Sequence, residues 1–330
     1  MRLFFRLLEN ESLKLLRRRR PQLVLLVLTA FLTIATWAAF RQQEDRLRGS
    51  DEGDWRARVE QRIHDSERRA NRRRIFVGFS RMLRFEAVRL RYHLERGINP
   101  DQQTGPLFAR AFAALASALL LPLLVTVLVA DQVSSETRAG TIKMLLTRPV
   151  ARWKIFASKL GAMALFTSLL VAAAALLSWL IGGFAFGWRG FGAPVLTGFR
   201  FDADGIQLGG VRMAPLWIDT LAAYGLAWVS ALATGAIAVT FSTLFRSTAA
   251  SMGTLFALIA SGTLLGQLGA DWAPTKWLFV TNLPLAQLYS GVPPPVAGMT
   301  LGHAVAVLVA WAVAAIAVGG VVFERRDVTA

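Results

Sequence analysis

The chain contains no cysteine. Disulfide cross-links, thiolate metal sites and cysteine nucleophiles are therefore excluded at the outset. Histidine is nearly as scarce, and His64, His93 and His303 are scattered without ligand spacing, so no metal centre is legible. No Gly-x4-Gly-Lys-Ser/Thr phosphate loop occurs, and the chain is not expected to bind ATP by itself. Neither Gly-x-Ser-x-Gly nor His-Glu-x2-His is present, which leaves an intramembrane protease or lipase without visible machinery. Ionisable residues are almost missing from the long apolar runs. That argues against a proton- or sodium-coupled secondary transporter, which usually keeps carboxylates at mid-membrane.

What the chain has in abundance is apolar surface. Hydrophobic residues make up 54% of it and the mean hydropathy is +0.45, well above a soluble domain. These residues come in long runs, and ~20 helical residues cross a hydrocarbon layer ~30 Å thick. The net charge of +16 invites a nucleic-acid reading. The cations are nearly all Arg outside the apolar runs and no stacking-aromatic motif accompanies them, so a membrane protein with one basic face explains them better.

Taken in order, residues 1–20 set Leu3, Phe4, Leu7 and Leu8 against Arg2, Arg6, Glu9 and Lys14, the pattern of an amphipathic helix lying along a membrane surface. Arg17–Arg20 follow, and a first span covers 21–40. It is too long for a typical signal-peptide core and no small-x-small site closes it, so it reads as an uncleaved span. Residues 41–106 change character, with sixteen Arg and eleven acids. Trp55, Val59 and Ile63 recur at helical spacing, as do Ile75, Phe79 and Met82, and Gly97 with Asn99-Pro100 stops the pattern. This segment reads as a helical extracytoplasmic insert, since long segments cross a membrane largely regardless of charge.

Further spans are read at 107–130, 157–187, 215–245, 249–270 and 300–322. Between them lie a polar connection at 131–156, a Gly-rich outer loop at 188–214 with room for a small hairpin, and an interfacial or re-entrant segment at 271–299. A tail at 323–330 closes the chain. Six spans put both termini on one side, and the short basic segments on that side mark it as cytoplasmic. The fold class expected is all-α integral membrane: six transmembrane helices, an N-terminal interfacial helix and a helical insert between the first and second spans.

The most patterned stretch is Asp131–Leu160, DQVSSETRAGTIKMLLTRPVARWKIFASKL. Gly140 is a poor interior helix residue and Pro149 suits the first turn of a new helix. Ile142, Leu145 and Leu146 share a helical face between them. The order Glu136-x3-Gly140-Thr141-Ile142-x2-Leu145-Leu146-x2-Pro149-x2-Arg152-x6-Lys159 resembles the signature loop of type-2 ABC transporter permeases. The resemblance covers nearly the whole chain, with the insert after the first span as a departure from minimal members. It implies that the loop forms a coupling helix docked on a separate ATP-binding subunit, with Leu145 and Leu146 as its apolar plug. Glu136, Arg138, Gly140, Thr141, Ile142, Pro149, Arg152 and Lys159 complete the contact, and Arg246 contributes a second, smaller one.

An acid at a helix C-terminus is disfavoured by the macrodipole. Glu136 is therefore expected to have a cationic partner: Arg138 or Lys143 in this chain, or an Arg of the ATPase. The resemblance further implies that ATP and Mg2+ are bound by the partner subunit and that this chain holds no cofactor or metal and is not itself an enzyme. It also implies a second permease subunit, identical or related, joined through the first or fifth span. The expected setting is the bacterial cytoplasmic (inner) membrane, with lipids and no nucleic acid as the remaining partners. The function implied is ATP-driven export of a substrate the sequence does not identify. The alternative is mechanical signalling, in which the ATPase drives the insert to act on an envelope partner.

Overall fold

Six helices in the computed structural model are long and apolar enough to cross a membrane. The structure describes residues 2–48, 55–72, 77–100, 103–141, 150–198, 200–202, 205–207, 210–268, 272–294, 296 and 298–325. Helix α1 (Arg2–Arg17) leads into α2 (Arg20–Arg48), the first span. The insert forms α3 (Trp55–Ala70) and α4 (Val77–Glu95). The second span is α5 (Gly105–Ala118) with α6 (Leu120–Val129), and α7 (Ser134–Arg138) follows. The third and fourth spans are α8 (Arg152–Phe186) and α9 (Leu216–Leu244). The fifth is α10 (Thr248–Leu268), and the sixth is α13 (Leu301–Arg325), after the short α11 (Phe279–Asn282) and α12 (Leu285–Tyr289). The protein is an all-α integral membrane fold, as its apolar runs imply.

The first three spans differ from the sequence expectation, and in the first the helix runs past 40 to Arg48. The second span is not one helix but breaks at Leu119, whose φ of −139° leaves the helical region. Pro122 causes this: it has no N–H to give Ala118, and its ring collides with that carbonyl. The third span starts at Arg152 rather than 157, and its 35 residues make it ~50 Å long. That exceeds the ~30 Å apolar layer, so its first turns project beyond the membrane core.

Chain ends and connections sort onto two faces of the bundle. On one face Arg18 pairs with Asp131 at 2.6 Å, and Arg152 donates to the Glu324 carbonyl at 2.7 Å. The Phe156 and Phe323 rings lie 5.7 Å apart there, so α13 ends beside the start of α8. This is the loop face. On the other, the insert face, the Gly105 N–H donates to the Gly187 carbonyl at 3.0 Å. A Cβ on Gly105 would sit 2.7 Å from the Gly183 backbone, so only glycine permits α5 and α8 to meet so closely.

The insert helices pack on each other through Val59, Ile63, Ala87 and Leu90, with an Arg62–Glu86 pair at 3.3 Å and an Arg91–Glu67 pair at 2.8 Å. Helix α4 does not continue into the second span. Gly97, at φ +65°, ends it, with Gly97 N–H bonded to Leu94 O and Ile98 N–H to His93 O. From there α4 lies against the connections of the insert face: Phe85 packs on Leu196, and Arg81 reaches the Pro294 carbonyl.

The Gly-rich loop forms the small hairpin for which its composition left room. Strand β1 (Pro194–Thr197) pairs antiparallel with β4 (Arg212–Pro215), and β2 (Arg200–Asp202) with β3 (Gly205–Gln207). The described part of the segment after α10 folds into the bundle. Asn282, Leu283, Leu285 and Ala286 are fully buried, and Ser230, midway along α9, donates to the Leu283 carbonyl at 2.7 Å. Broken backbone at this depth is tolerated because a neighbouring helix supplies the missing hydrogen bond.

Candidate functional site

The loop-face site is built from three helices that meet at one end of the bundle. Helix α1 supplies Glu11 and Lys14 at i, i+3; α7 supplies Glu136; the projecting turns of α8 supply Lys159. Their charged groups close into a ring. Lys14 Nζ lies 2.6 Å from Glu11 Oε1 and 2.8 Å from Glu136 Oε1. Lys159 Nζ lies 2.9 Å from Glu11 Oε2 and 2.7 Å from Glu136 Oε2. Each carboxylate oxygen thus receives one ammonium, and the third Lys159 proton goes to the Gln132 carbonyl at 3.1 Å. The ring is electrically neutral. Lys159 is completely buried, and the two carboxylate side chains are 8% exposed. Buried charge is tolerable only when paired and hydrogen-bonded in this way. Burial pulls Lys14 down, but the Glu11 and Glu136 carboxylates outweigh it and hold its pKa above the ordinary lysine value.

A second set of contacts fixes the same connection to the neighbouring spans. Asp131 takes Arg18 at 2.6 Å and Arg20 at 3.1 Å, and Arg18 also reaches Ser135 Oγ at 3.1 Å. Ser242 Oγ, near the end of α9, accepts the Val133 and Ser134 N–H groups, both at 3.0 Å. These are donors that the start of α7 leaves open. Ser134 Oγ lies 3.3 Å from Thr248 Oγ1 at the start of α10. Leu8 of α1 packs over Gly161 of α8, where an added Cβ would come within 3.0 Å. Phe5, Leu13 and Leu16 stay exposed, which gives α1 the apolar side a surface-lying helix needs.

Among the described residues of the expected site, the structure joins the side chains of Glu136 and Lys159. Among the described residues the partners of Glu136 are not Arg138 but Lys14 and Lys159, and the first comes from 122 residues away; Lys143 lies outside the described residues. The reason is depth: Glu136 is buried, whereas Arg138 is exposed. Gly140 ends α7 at φ +70° and is exposed with Thr141, whose hydroxyl lies 3.4 Å from the Glu136 carbonyl. Arg152 is held by Glu324. Arg246 is exposed two residues before Thr248, beside α7. Ile142, Lys143, Leu145, Leu146 and Pro149 lie outside the described residues.

The sequence reading missed two participants on each face. On the loop face these are Glu11 and Lys14, whose charge pattern was legible but not its target. On the insert face, Arg110 of α5 pairs with Asp219 of α9, which is wholly buried. Each is a lone charge in an apolar run, the one local signal that would have exposed the pair. Arg89 and His93 of α4 lie within electrostatic reach of Arg110, and Tyr289 of α12 within reach of Asp219.

The fold and these two buried charge clusters define a multi-pass integral membrane protein with a helical insert. Residues 75–329 match the family described as "Protein of unknown function (DUF2705)", and the chain belongs to that family. Two relatives come from Bacillus subtilis (strain 168). The uncharacterized membrane protein YdbK is 32% identical over 213 residues, 64% of this chain and 78% of YdbK. The uncharacterized protein YhcI is 29% identical over 214 residues, 64% of this chain and 65% of YhcI.

Proposed function

We propose that this protein is the membrane permease subunit of an ATP-driven ABC exporter, with a separate ATP-binding subunit docked on the 131–160 connection. One observation carries the reading: the part of that connection flanking the expected coupling helix is tied to four other elements. The charge ring joins it to α1 and α8, and Ser242 and Thr248 join it to α9 and α10. A load on the loop is therefore passed to the bundle rather than absorbed by a slack connection. Exposed Arg138, Thr141 and Arg246 lie on the same face for the docked subunit.

Within this reading Glu136 and Lys159 position the coupling segment from inside the chain and do not touch the ATPase. Leu145 and Leu146 act as the apolar anchor, with Ile142 and Pro149 shaping the turn around them. ATP and Mg2+ stay in the partner, and this chain performs no bond-making step. A second permease copy, identical or related, associates through the first or fifth span, and the assembly sits in a bacterial cytoplasmic membrane with both termini inside.

Copurification from native membranes provides the test. The wild-type chain is expected to bring down an ATP-binding-cassette protein, and Leu145→Asp to lose it while still inserting in the membrane, because a central apolar anchor dominates such contacts. A wild-type preparation free of any such protein, or a Leu145→Asp chain that retains it, overturns the reading. The contact of α4 with Leu196 and Pro294 supports a second reading, in which bundle motion is handed to the insert and on to an envelope partner.

A further inference from the structure

Helix α1 lies across the spans rather than alongside them. Phe4 and Leu8 stand over Gly161 of α8, and Glu11 reaches Lys159 on the same helix at 2.9 Å. By Lys14 and Arg18 the chain has moved on to Glu136, Asp131 and Ser135. From Phe4 to Arg17 the helix advances ~20 Å, yet it touches α8 at one narrow level. A helix running parallel to α8 would follow it turn by turn. Gly161 lies ~14 Å along α8 from Arg152, and ~38 Å of that helix remains beyond it. An apolar layer ~30 Å thick fits within this remainder, which sets α1 at its edge.

The inner side of α1 is committed to the protein: Glu11 and Leu15 are buried, and Lys14 belongs to the charge ring. The outer side faces away from the bundle. Phe5, Leu13 and Leu16 are 60%, 44% and 58% exposed there. Arg6 and Arg17, also exposed, stand seven residues before and four after Leu13, which places all three on one helix face. Beyond the helix, Arg18 and Arg20 turn in to Asp131, whereas Arg19 between them is exposed. Among the described residues of α1, Glu9 is the one exposed acid. Three outward cations therefore stand against one anion.

Exposed apolar side chains beside guanidiniums, at the edge of an apolar layer, match a phospholipid: acyl chains cover Phe5, Leu13 and Leu16, and the phosphate meets the guanidiniums. The positive surplus selects headgroups of net negative charge over zwitterionic ones.

We infer that the outer side of α1, with Arg6, Arg17 and Arg19, is a docking surface for anionic phospholipid of the loop-face leaflet. The same helix carries Glu11 and Lys14 on its inner side. Lipid docking thus holds two members of the charge ring in place, and lipid charge acts through α1 on the connection that bears Glu136. This contact depends on the placement of α1 and not on the exporter reading.

The test uses the full-length chain in nanodiscs of phosphatidylcholine with a fixed minor fraction of phosphatidylglycerol. Leu13→Cys, in a chain with no native cysteine, carries an NBD fluorophore on the outer side of α1. Only the lipid that bears a nitroxide quencher is exchanged. At equal mole fraction, nitroxide-phosphatidylglycerol is expected to quench about twice as strongly as nitroxide-phosphatidylcholine, and about 1 M salt to remove the difference. Arg6→Gln, Arg17→Gln and Arg19→Gln together are expected to equalise the two lipids, whereas Arg84→Gln, an exposed cation of the insert helix α4, leaves the preference intact. Amide exchange in α1, with α9 amides as the internal reference, is expected to be about fivefold slower in these discs than in pure phosphatidylcholine. Equal quenching by both lipids in the otherwise native chain, quenching by neither, or a preference that survives the triple variant overturns the docking surface. Exchange in α1 that is the same in both kinds of disc overturns its action on the ring.

Discussion

Replacing Lys159 with methionine tests whether the charge ring is a structural joint. Methionine keeps most of the buried stem and removes only the ammonium. Lys159 is completely buried and its two carboxylate partners are 8% exposed. Its loss leaves Glu11 and Glu136 sharing Lys14, whose own side chain is 35% exposed. Taking one member from a buried, hydrogen-bonded ion pair costs ~3–5 kcal/mol, because the charge left behind is poorly compensated. Lys159→Met is therefore expected to destabilise by about that amount. Adding Glu136→Gln restores a neutral set of Glu11 and Lys14. The double variant is then expected to be more stable than the summed single effects by ~1–3 kcal/mol. Reversible unfolding in mixed micelles, followed through the ten tryptophans, measures all four species. If Lys159→Met costs less than ~1 kcal/mol, or Glu136→Gln adds its full penalty on top, the ring is not a joint and the argument for load transfer through it fails.

Burial, together with Arg89 and Arg110, holds the His93 pKa below the ordinary histidine value. The stability tied to its neutral form is present above about pH 6.5 and is lost as pH falls through the lowered folded value. The unfolding midpoint in anion-free buffer should accordingly drop between pH 7.5 and 5, and His93→Gln should flatten that part of the profile. Gly105→Val would place a Cβ 2.7 Å from the Gly183 backbone and should cost ~1–3 kcal/mol or more in the same assay. Gly253→Ala, with nothing within 4 Å of the added Cβ, should be neutral or slightly stabilising; equal effects from the two would refute the close approach of α5 and α8. For sidedness, Asp65→Cys and Ala139→Cys are exposed on opposite faces, and an impermeant thiol reagent on intact cells should label the first alone. Ser66, in the middle of α3, would be a poor choice, since it is buried among the insert helices.

Much of the architecture was legible because membrane crossing needs little more than length and apolarity. The stops were legible too: Gly97 and Gly140 end their helices at positive φ, the conformation only glycine adopts cheaply. Pro122 was visible inside the second span, yet its consequence, a break three residues earlier at Leu119, depends on a clash with the preceding turn. The ring was half legible. Glu136 called for a cation, and sequence neighbours offered Arg138 and Lys143. The cations that answered came from Lys159, 23 residues on, and Lys14, 122 residues back. Local pattern ranks partners by proximity along the chain, whereas a buried carboxylate selects among those that packing brings to the same depth. Arg110 and Asp219 were overlooked for the complementary reason, since a single charge barely alters the hydropathy of a twenty-residue run.

The break at Leu119 acquires a meaning from what is fixed on either side of it. Below it, α6 leads into α7, which the charge ring and Ser242 bind to the loop face. Above it, α5 is bound to the insert face by the Gly105–Gly187 hydrogen bond and the Arg110–Asp219 pair. Helix α9 contributes to both attachments, Ser242 to one and Asp219 to the other, and runs unbroken between them. A displacement of the loop face relative to the insert face must then bend α9 against its intact hydrogen-bond ladder or turn the second span at Leu119. The Pro122 ring has already removed a ladder bond at that point. The softer path is the second span, and Leu119 is where it yields.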